Sequence, residues 1–463
     1  MRLDLTCTLG FAGHRARDPP DPIPNSEVKP CSVSGCSVVF GYANPGKLAA
    51  LSELRLKLER KSLKFITKHD CFSAGELVDL SAALMSSLGS LAPQFALGDI
   101  IPTDTLSWIF SILFYVMFIV FMFYGQRIQT YTMLRQVEGS LFKLKYIKDE
   151  GRKITIKTIK EIGKPQTDPT NMIDRFLEYF TISPQSLDPT GVVWKLEHIL
   201  DIRDTRFKDE VKLMAPESNE TQVNNLENTL EAAMALNYIY KVIRHYYLLG
   251  KKTLSLYIIM QIQMILPLVM REAEAYASAL KAFAYGQPIG DGAGALVAAK
   301  LMQGHEKRKI AKDCVVATVP IEGRTAYVIK AEGPGGNVGK PGSAVKAIIE
   351  ENKGKISTII MVDAALKLEG EKPGDVAEGV GAAIGGPGVD QYKIEESILK
   401  YRIPINAVII KEDIGDAVSP MRKKIFEAAG PAIERIKRVI LERTKEGDKL
   451  IIAGIGNTIG IGQ

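Results

Sequence analysis

Cysteine is scarce in this 463-residue chain and is unevenly placed. Four of the five cysteines lie within the first 84 residues, so that only Cys314 belongs to the remainder. A disulfide within that remainder is therefore excluded. Such a distribution is typical of proteins that work in a reducing compartment.

The chain also lacks a strong excess of charge of one sign. Its 59 lysine and arginine residues and 53 aspartate and glutamate residues are interspersed and leave a formal net charge of only +6. No stripe of arginine and aromatic residues and no nucleic-acid-binding motif occurs in it. These absences exclude DNA and RNA from the expected partners.

Several common catalytic and cofactor motifs are missing as well. Residues 335–340, G-G-N-V-G-K, lack the serine or threonine and the spacing of a phosphate-binding loop, and residues 290–294, G-D-G-A-G, lack a dinucleotide fingerprint. No serine lies in a nucleophile elbow. Nucleotide binding, hydride transfer and catalysis by a nucleophilic serine are therefore poorly supported.

One long uncharged run stands out at residues 106–125. These 20 residues would make a helix that spans a hydrocarbon core of about 30 Å. Trp108 and Tyr124 lie near its ends, where aromatic residues favour the membrane interface. Basic residues follow it, beginning with Arg127 and Arg135, so the positive-inside rule predicts a single-pass protein of the cell membrane whose later domains are cytoplasmic.

The pattern divides the chain into four parts. Residues 1–84 contain no signal peptide, and we expect them to be a non-native extension, with translation starting near Met85. Residues 85–127 form the predicted transmembrane anchor, and residues 128–285 have helical periodicity. Residues 286–463 are rich in glycine.

A second apolar run, at residues 254–270, leaves an alternative topology open. It is short and is interrupted by Gln261, Gln263 and Pro267, which favours a core or interfacial helix. If it spans the membrane instead, the protein crosses twice and the C-terminal domain lies outside the cell.

In the last part, short apolar runs alternate with helical patterns. The predicted strands are 315–320, 326–331, 356–362, 407–410 and 450–453; the predicted helices are 295–302, 344–352, 390–401 and 420–445. This alternation predicts an α/β domain with a mixed sheet and helices on both faces.

Acidic residues occur where this architecture places its sites. Asp363, Glu412 and Asp413 follow predicted strands, and Asp291 opens a helix. Carboxyl ends of such strands converge on one edge, where two close carboxylates serve as acid and base. Asp291, Asp363, Glu412 and Asp413 would equally suit a divalent metal. Helix capping by Asp291 or Asp413 is the remaining alternative.

The last residues look like the beginning of a domain placed at its end. Residues 450–458, L-I-I-A-G-I-G-N-T, form a strand and a glycine turn, and residues 289–299, I-G-D-G-A-G-A-L-V-A-A, open a helix with no clear strand before it. We predict that the first segment is a central strand and that its Asn457 loop meets the Asp291 helix.

Joined in that order, the two segments resemble the opening of the hydrogenase-maturation endopeptidases and the spore germination proteases. The resemblance covers residues 286–463, requires a circular permutation, and implies a phosphorylase/hydrolase-like fold. It implies catalytic or metal-binding roles for Asp291 and Asp363. The nickel-binding histidine has no counterpart, and Glu412 or Asp413 occupies its region. The ligand-binding loops would contain Gly290, Gly292, Gly294, Gly456 and Asn457.

These features predict a membrane-anchored hydrolase, an aspartate- or metal-dependent peptidase acting on a peptide or protein. The alternative is a non-catalytic membrane scaffold or sensor that binds a small anion through the N–H groups of the glycine loops. The layout of an N-terminal span, helices and a glycine-rich domain also resembles an uncharacterised archaeal membrane-protein family. That family implies no function.

Overall fold

The computed structural model describes residues 105–184 and 191–463. The predicted extension at residues 1–84, the proposed start at Met85 and the first part of the anchor region lie outside the described residues. Met122–Gln463 belongs to one compact unit, and the described residues before it belong to another.

The first part of the described chain is helical, as predicted. Its helices are α1 (Thr105–Thr158), which ends in a π-helical turn (Ile159–Gly163), α2 (Thr170–Leu177), α3 (Val192–Met214), α4 (Glu220–Thr253) and α5 (Leu256–Ala284). The start of α4 is fixed by a capping box in which Asn219 and Gln222 each accept the backbone N–H of the other. The short connection to α5 folds α4 and α5 into a helical hairpin.

A continuous apolar core holds these helices together. Phe176 of α2 and Phe207 of α3 are fully buried, and their ring centroids lie 4.4 Å apart. Ile289, Val418 and Ile459 of the C-terminal domain belong to the same core, so α5 and that domain pack as one body.

The two apolar runs of the sequence, which lie in α1 and α5, differ in how much of each is buried. In α1 the side chains from Trp108 to Val120 are nearly all exposed. Among the described helices, only α5 is long and apolar enough to cross a membrane by length and composition, and 28% of its apolar window is buried. The core helix of a soluble protein meets the same criterion.

The C-terminal domain contains one seven-stranded sheet. After a 3₁₀ turn (Gly290–Gly292) come α6 (Ala293–Met302), β1 (Lys307–Ala311), β2 (Cys314–Ile321), β3 (Arg324–Ala331), α7 (Pro341–Glu351), β4 (Thr358–Leu366), β5 (Val376–Val380), α8 (Val389–Tyr401), β6 (Ile405–Glu412), α9 (Ile414–Val418), α10 (Lys423–Arg443) and β7 (Lys449–Gly454). The strand order is β1-β2-β3-β7-β4-β6-β5.

The sheet is mixed and covered on both faces, which confirms the predicted α/β architecture. Strands β3, β7, β4 and β6 are parallel, and the outer pairs are antiparallel. Helices α6 and α10 cover one face, and α7 and α8 the other. The last strand, β7, lies fully buried between β3 and β4, so the prediction that residues 450–453 form a central strand is confirmed.

The sequence patterns missed two strands, β1 and β5, and both are antiparallel edges. The first of them begins with Lys307, Arg308 and Lys309, and β5 contains Glu378 and Gly379. An edge strand pairs on one side only and keeps polar residues that discourage further pairing. Neither strand therefore has the apolar run by which the inner strands are recognised.

Candidate functional site

Buried acidic side chains meet at the carboxyl edge of the parallel strands. Asp363 lies near the end of β4, Glu412 is the last residue of β6, and Asp291 lies in the 3₁₀ turn before α6. Asp416 of α9 completes the group. We call Asp291, Asp363, Glu412 and Asp416 the acid cluster; each is at most 8% exposed. Carboxylates this deeply buried are rare and call for a partner or a proton.

The loop after β7 reaches the turn that carries Asp291. The backbone N–H of Asn457 donates to Asp291 Oδ2 at 3.1 Å. Gly456, at φ +124°, lies so close to the Asp291 carbonyl that any side chain at position 456 would collide with it. The predicted meeting of the Asn457 loop with the Asp291 segment is therefore confirmed.

The other glycines of this region also lie against protein atoms. A side chain at Gly290 would overlap both Glu412 Oε2 and the Asp416 carbonyl. Gly292 faces the Asn457 carbonyl, and Gly294 faces the carbonyl groups of Val362 in β4 and of Ile455 after β7. Close backbone approach thus accounts for these glycines, and their role in ligand binding stays a prediction.

Burial and mutual repulsion hold protons on two members of the acid cluster. Burial raises the pKa of Glu412 to about 9, with further contributions from the charges of Asp291, Asp416 and Asp363. Burial, followed by the charge of Asp291, raises the pKa of Asp363 well above its ordinary value. The Ala364 N–H, which donates to Asp363 Oδ1 at 2.8 Å, opposes that shift. Protonated carboxyl groups are therefore expected here at neutral pH.

Two oxygens of the acid cluster lack hydrogen-bond partners among the described residues. They are Glu412 Oε2 and Asp416 Oδ2, and both are buried. The other oxygen of Asp416 pairs with Arg422 Nε at 2.8 Å. Unsatisfied buried oxygens are uncommon in native proteins and point to a ligand, water or a proton.

Asp413 points away from the acid cluster, although it follows Glu412 directly. Its side chain caps α9 by accepting from the Gly415 N–H at 3.1 Å and pairs with Arg271 at 2.7 Å. The capping alternative therefore describes Asp413. It does not describe Asp291, which is not the N-cap residue of the 3₁₀ turn or of α6.

The donor arrangement does not fit a resident metal ion. Within residues 105–184 and 191–463, no group of three or more histidine, cysteine, aspartate or glutamate side chains is placed to hold one. The predicted set of Asp291, Asp363, Glu412 and Asp413 is not assembled, because Arg271 and the cap of α9 engage Asp413 elsewhere.

Two family models match nearly all of the described chain. Residues 111–286 match the model described as "Protein of unknown function (DUF1512) N-terminal domain", and residues 289–462 match "Domain of unknown function (DUF1512) C-terminal". The chain belongs to the DUF1512 family. This confirms the expected membership of a family without known function. No curated protein matches the chain.

In this DUF1512 protein, sequence reasoning missed the contribution of α4 to the site. Asn228 accepts from the Asn457 side-chain amide at 2.9 Å and donates to the Gly336 carbonyl at 2.7 Å. Asn225 accepts from the Gly336 N–H at 3.0 Å. The spacing of asparagines near the start of α4 was the signal that could have revealed it. These bonds connect the N-terminal DUF1512 domain directly to the loops around the acid cluster.

Proposed function

We propose that this DUF1512 protein is a hydrolase of the aspartate-dependent peptidase type. The proposal rests chiefly on Asp291 and Asp363, which are both buried and lie close enough that the charge of Asp291 raises the pKa of Asp363. One of two such neighbouring carboxyl groups can act as the base and the other as the acid.

The geometry suggests which carboxyl group takes each role. Asp291 accepts the Asn457 N–H through Oδ2 and serves as the base that removes a proton from the attacking water. The water oxygen bonds to the peptide carbonyl carbon, and Asp363 gives its proton to the departing nitrogen as the C–N bond breaks. The raised pKa of Asp363 keeps that proton ready for transfer near neutral pH.

Two further observations support this proposal over the anion-binding scaffold. The loop after β7 contacts the Asp291 turn, which is the arrangement that a permuted endopeptidase-like domain requires. The N–H groups of Gly290 and Gly292 already donate to backbone carbonyl groups, those of Ser419 and Ile289, at 3.3 and 3.0 Å.

The test uses the purified full chain in detergent and a peptide library prepared from a digested proteome. New peptide termini, identified by mass spectrometry, report hydrolysis of any susceptible sequence in the library. Replacing Asp291 by Asn keeps the size of the side chain but removes the base. We expect the rate of cleavage to fall by at least about 100-fold, the lower end of what general-base catalysis contributes.

The matched control is Asp390→Asn. Asp390 is partly buried near the start of α8, and its Oδ1 accepts the Gly342 N–H at 2.9 Å. The charged groups that act on it are Lys393, Lys340 and Glu197, none of which belongs to the acid cluster. An asparagine retains that acceptor, so cleavage should persist. Equal cleavage by wild type and Asp291→Asn, with both proteins folded by circular dichroism, would contradict the proposal and leave the scaffold or sensor as the better account.

We further propose that the protein is anchored in the cell membrane by the start of α1, with its later domains in the cytoplasm. The uncharged side chains from Trp108 to Val120 are nearly all exposed, which is costly in water and favourable in lipid. Arg127 and Arg135, beyond this stretch, supply the positive charges expected on the cytoplasmic side.

The packing of α5 favours this single-pass topology over two spans. Gly250, near the end of α4, lies against Ile259 in the most apolar half of α5. That part of α4 would enter the bilayer with α5, at a cost of several kcal/mol for its charges. The charged residues there are Lys241, Arg244, Lys251 and Lys252.

Membrane attachment and topology are measured together. After extraction of cell membranes with alkaline carbonate, the full chain should remain in the pellet. A protease added to intact cells or right-side-out vesicles should leave residues 286–463 uncut. Release by carbonate would contradict the anchor, and external cleavage of the C-terminal domain would support the two-pass alternative.

A further inference from the structure

A surface cavity of about 360 Å³ opens beside the acid cluster. Asp416 connects the two, because it belongs to the lining of the cavity and its backbone carbonyl lies with Glu412 Oε2 against Gly290. Such a volume is within the range of small-ligand sites. Whatever occupies this cavity therefore lies beside Asp416, a member of the acid cluster to which the two proposed catalytic aspartates also belong.

Three cationic side chains line the cavity, and some of their N–H groups make no hydrogen bond to the described residues of the protein. Arg271 contacts both oxygens of Asp413 through Nη2 alone, at 2.8 and 2.7 Å. Arg422 makes its ion pair with Asp416 through Nε. Within the described part of the chain, the two terminal nitrogens of Arg422 make no recorded hydrogen bond, and such a fork is suited to a carboxylate.

The third cation, Lys367, has the most distant carboxylate partners of the three. Its side chain is only 12% exposed, yet its nearest carboxylates are Asp413 at 3.8 Å and Glu369 at 4.0 Å. Both separations exceed hydrogen-bond length. In the described chain this mostly buried side chain therefore has no carboxylate within hydrogen-bond distance of its ammonium group.

The charges of the lining are balanced, with three cations and three carboxylates, so the case for an anionic group rests on the weakly paired cations. The lining carboxylates are Glu274, Asp413 and Asp416. Lys143, which is outside the lining, pairs with Glu274 at 2.5 Å. Glu369, also outside the lining, lies 4.0 Å from Lys367, so the count stays even when these outer partners are included. Asp416 Oδ2, buried and without a partner in the described residues, adds an acceptor for a donor N–H.

We propose that this cavity binds a carboxylate of a peptide substrate, through Lys367 and the terminal nitrogens of Arg422. An amide N–H beside that carboxylate would donate to Asp416 Oδ2. A peptide supplies both groups in one molecule, whereas an inorganic anion such as sulfate supplies no donor. The inference rests on the proposed hydrolase function and specifies its substrate class as peptides with a carboxylate near the cleaved bond.

The test measures binding apart from turnover. Isothermal titration calorimetry with the full-length Asp291→Asn protein compares acetyl-tetra-alanine as the free acid and as the C-terminal amide. A second pair, acetyl-Ala-Glu-Ala-amide and its glutamine counterpart, distinguishes an acidic side chain from a chain terminus. We expect the carboxylate member of at least one pair to bind at least about tenfold more tightly. Equal affinities within both pairs would overturn the inference.

Variants then assign the contact to the cavity. Lys367→Gln should abolish the preference for the carboxylate, and Lys367→Arg should retain most of it. Arg435→Gln is the control: it removes a cation of α10 whose nearest recorded carboxylate is Glu378 at 3.8 Å, outside the lining. A preference that survives Lys367→Gln unchanged would place the carboxylate elsewhere and refute the assignment.

The outcomes separate this inference from the proposed function. Hydrolysis by the wild type together with equal binding of acid and amide would preserve the hydrolase and remove the carboxylate site. A carboxylate preference without any hydrolysis would preserve the binding site and remove the hydrolase.

Discussion

Replacing Glu412 by Gln should stabilise the protein at neutral pH, although Glu412 belongs to the proposed active site. The glutamate side chain is 1% exposed, and burial together with neighbouring acids raises its pKa to about 9. In the unfolded chain the pKa returns to about 4.5. Between these values the folded protein holds a proton that the unfolded chain releases.

The sign and the size follow from this difference. Because the folded state binds more protons, the free energy of unfolding falls by about 1.4 kcal/mol per pH unit above pH 4.5. At pH 7 this is a loss of about 3 kcal/mol relative to acidic solution. Glutamine is neutral at every pH, so the variant avoids the loss. For a domain of this size the gain corresponds to roughly 6–12 °C in Tm.

The assay is the Tm of wild type and Glu412→Gln, by scanning calorimetry from pH 5 to pH 9. The variant should be increasingly more stable than wild type as the pH rises through this window. Glu442→Gln, an exposed position at the end of α10, is the control and should leave the pH profile unchanged. If Glu412→Gln has the same pH dependence as wild type and no higher Tm at pH 7, then Glu412 is ionised in the folded protein and its charge is stabilised by its surroundings. The protonated state assigned to Glu412 is then wrong.

Three further outcomes follow from the same edge of the sheet. Gly456→Ala should destabilise the C-terminal domain by several kcal/mol in calorimetry, since φ is +124° and the Asp291 carbonyl leaves no room for a Cβ atom. As the control, Gly139→Ala on the open face of α1 should stabilise the protein by about 0.5–1 kcal/mol. Cys314 should resist iodoacetamide at pH 8 until the protein unfolds, as measured by peptide mapping, because burial raises its pKa to about 12; rapid labelling of the native protein would contradict this. Asn228→Ala should lower the free energy of unfolding by about 1–3 kcal/mol, because the Asn457 amide and the Gly336 carbonyl lose this hydrogen-bond partner. An unchanged Tm would show that the link to α4 contributes little to stability.

Much of the fold is encoded in short windows of sequence. The inner strands are recognisable because they are buried on both faces and therefore consist mainly of apolar residues, many of them β-branched. The last of them, β7, shows this pattern most clearly, with Leu450 to Ala453 fully buried between two parallel neighbours. The edge strands β1 and β5 escaped because charged residues and glycine, suited to an edge, replace that pattern.

The candidate site was predictable in part. Asp291 and Asp363 were selected because they lie at the ends of elements that converge in a parallel sheet, and the structure brings both to one edge. The sequence around the end of β6 does not reveal which of its acidic side chains points into the acid cluster. Glu412 and Asp416 enter the acid cluster, whereas Asp413, between them in sequence, is held by Arg271 and by the cap of α9.

The sequence by itself determined the helical region, the glycine-rich α/β domain and the acids at the strand ends, because backbone preference and burial on both faces act over a few neighbouring residues. Only the tertiary structure decided that α4 bonds to the Asn457 loop, that the end of the chain meets Asp291, and that Lys367 and Arg422 line a cavity beside Asp416. These relations join residues far apart in sequence. Their distances and mutual charges are fixed by sheet pairing and helix packing, which no short window contains.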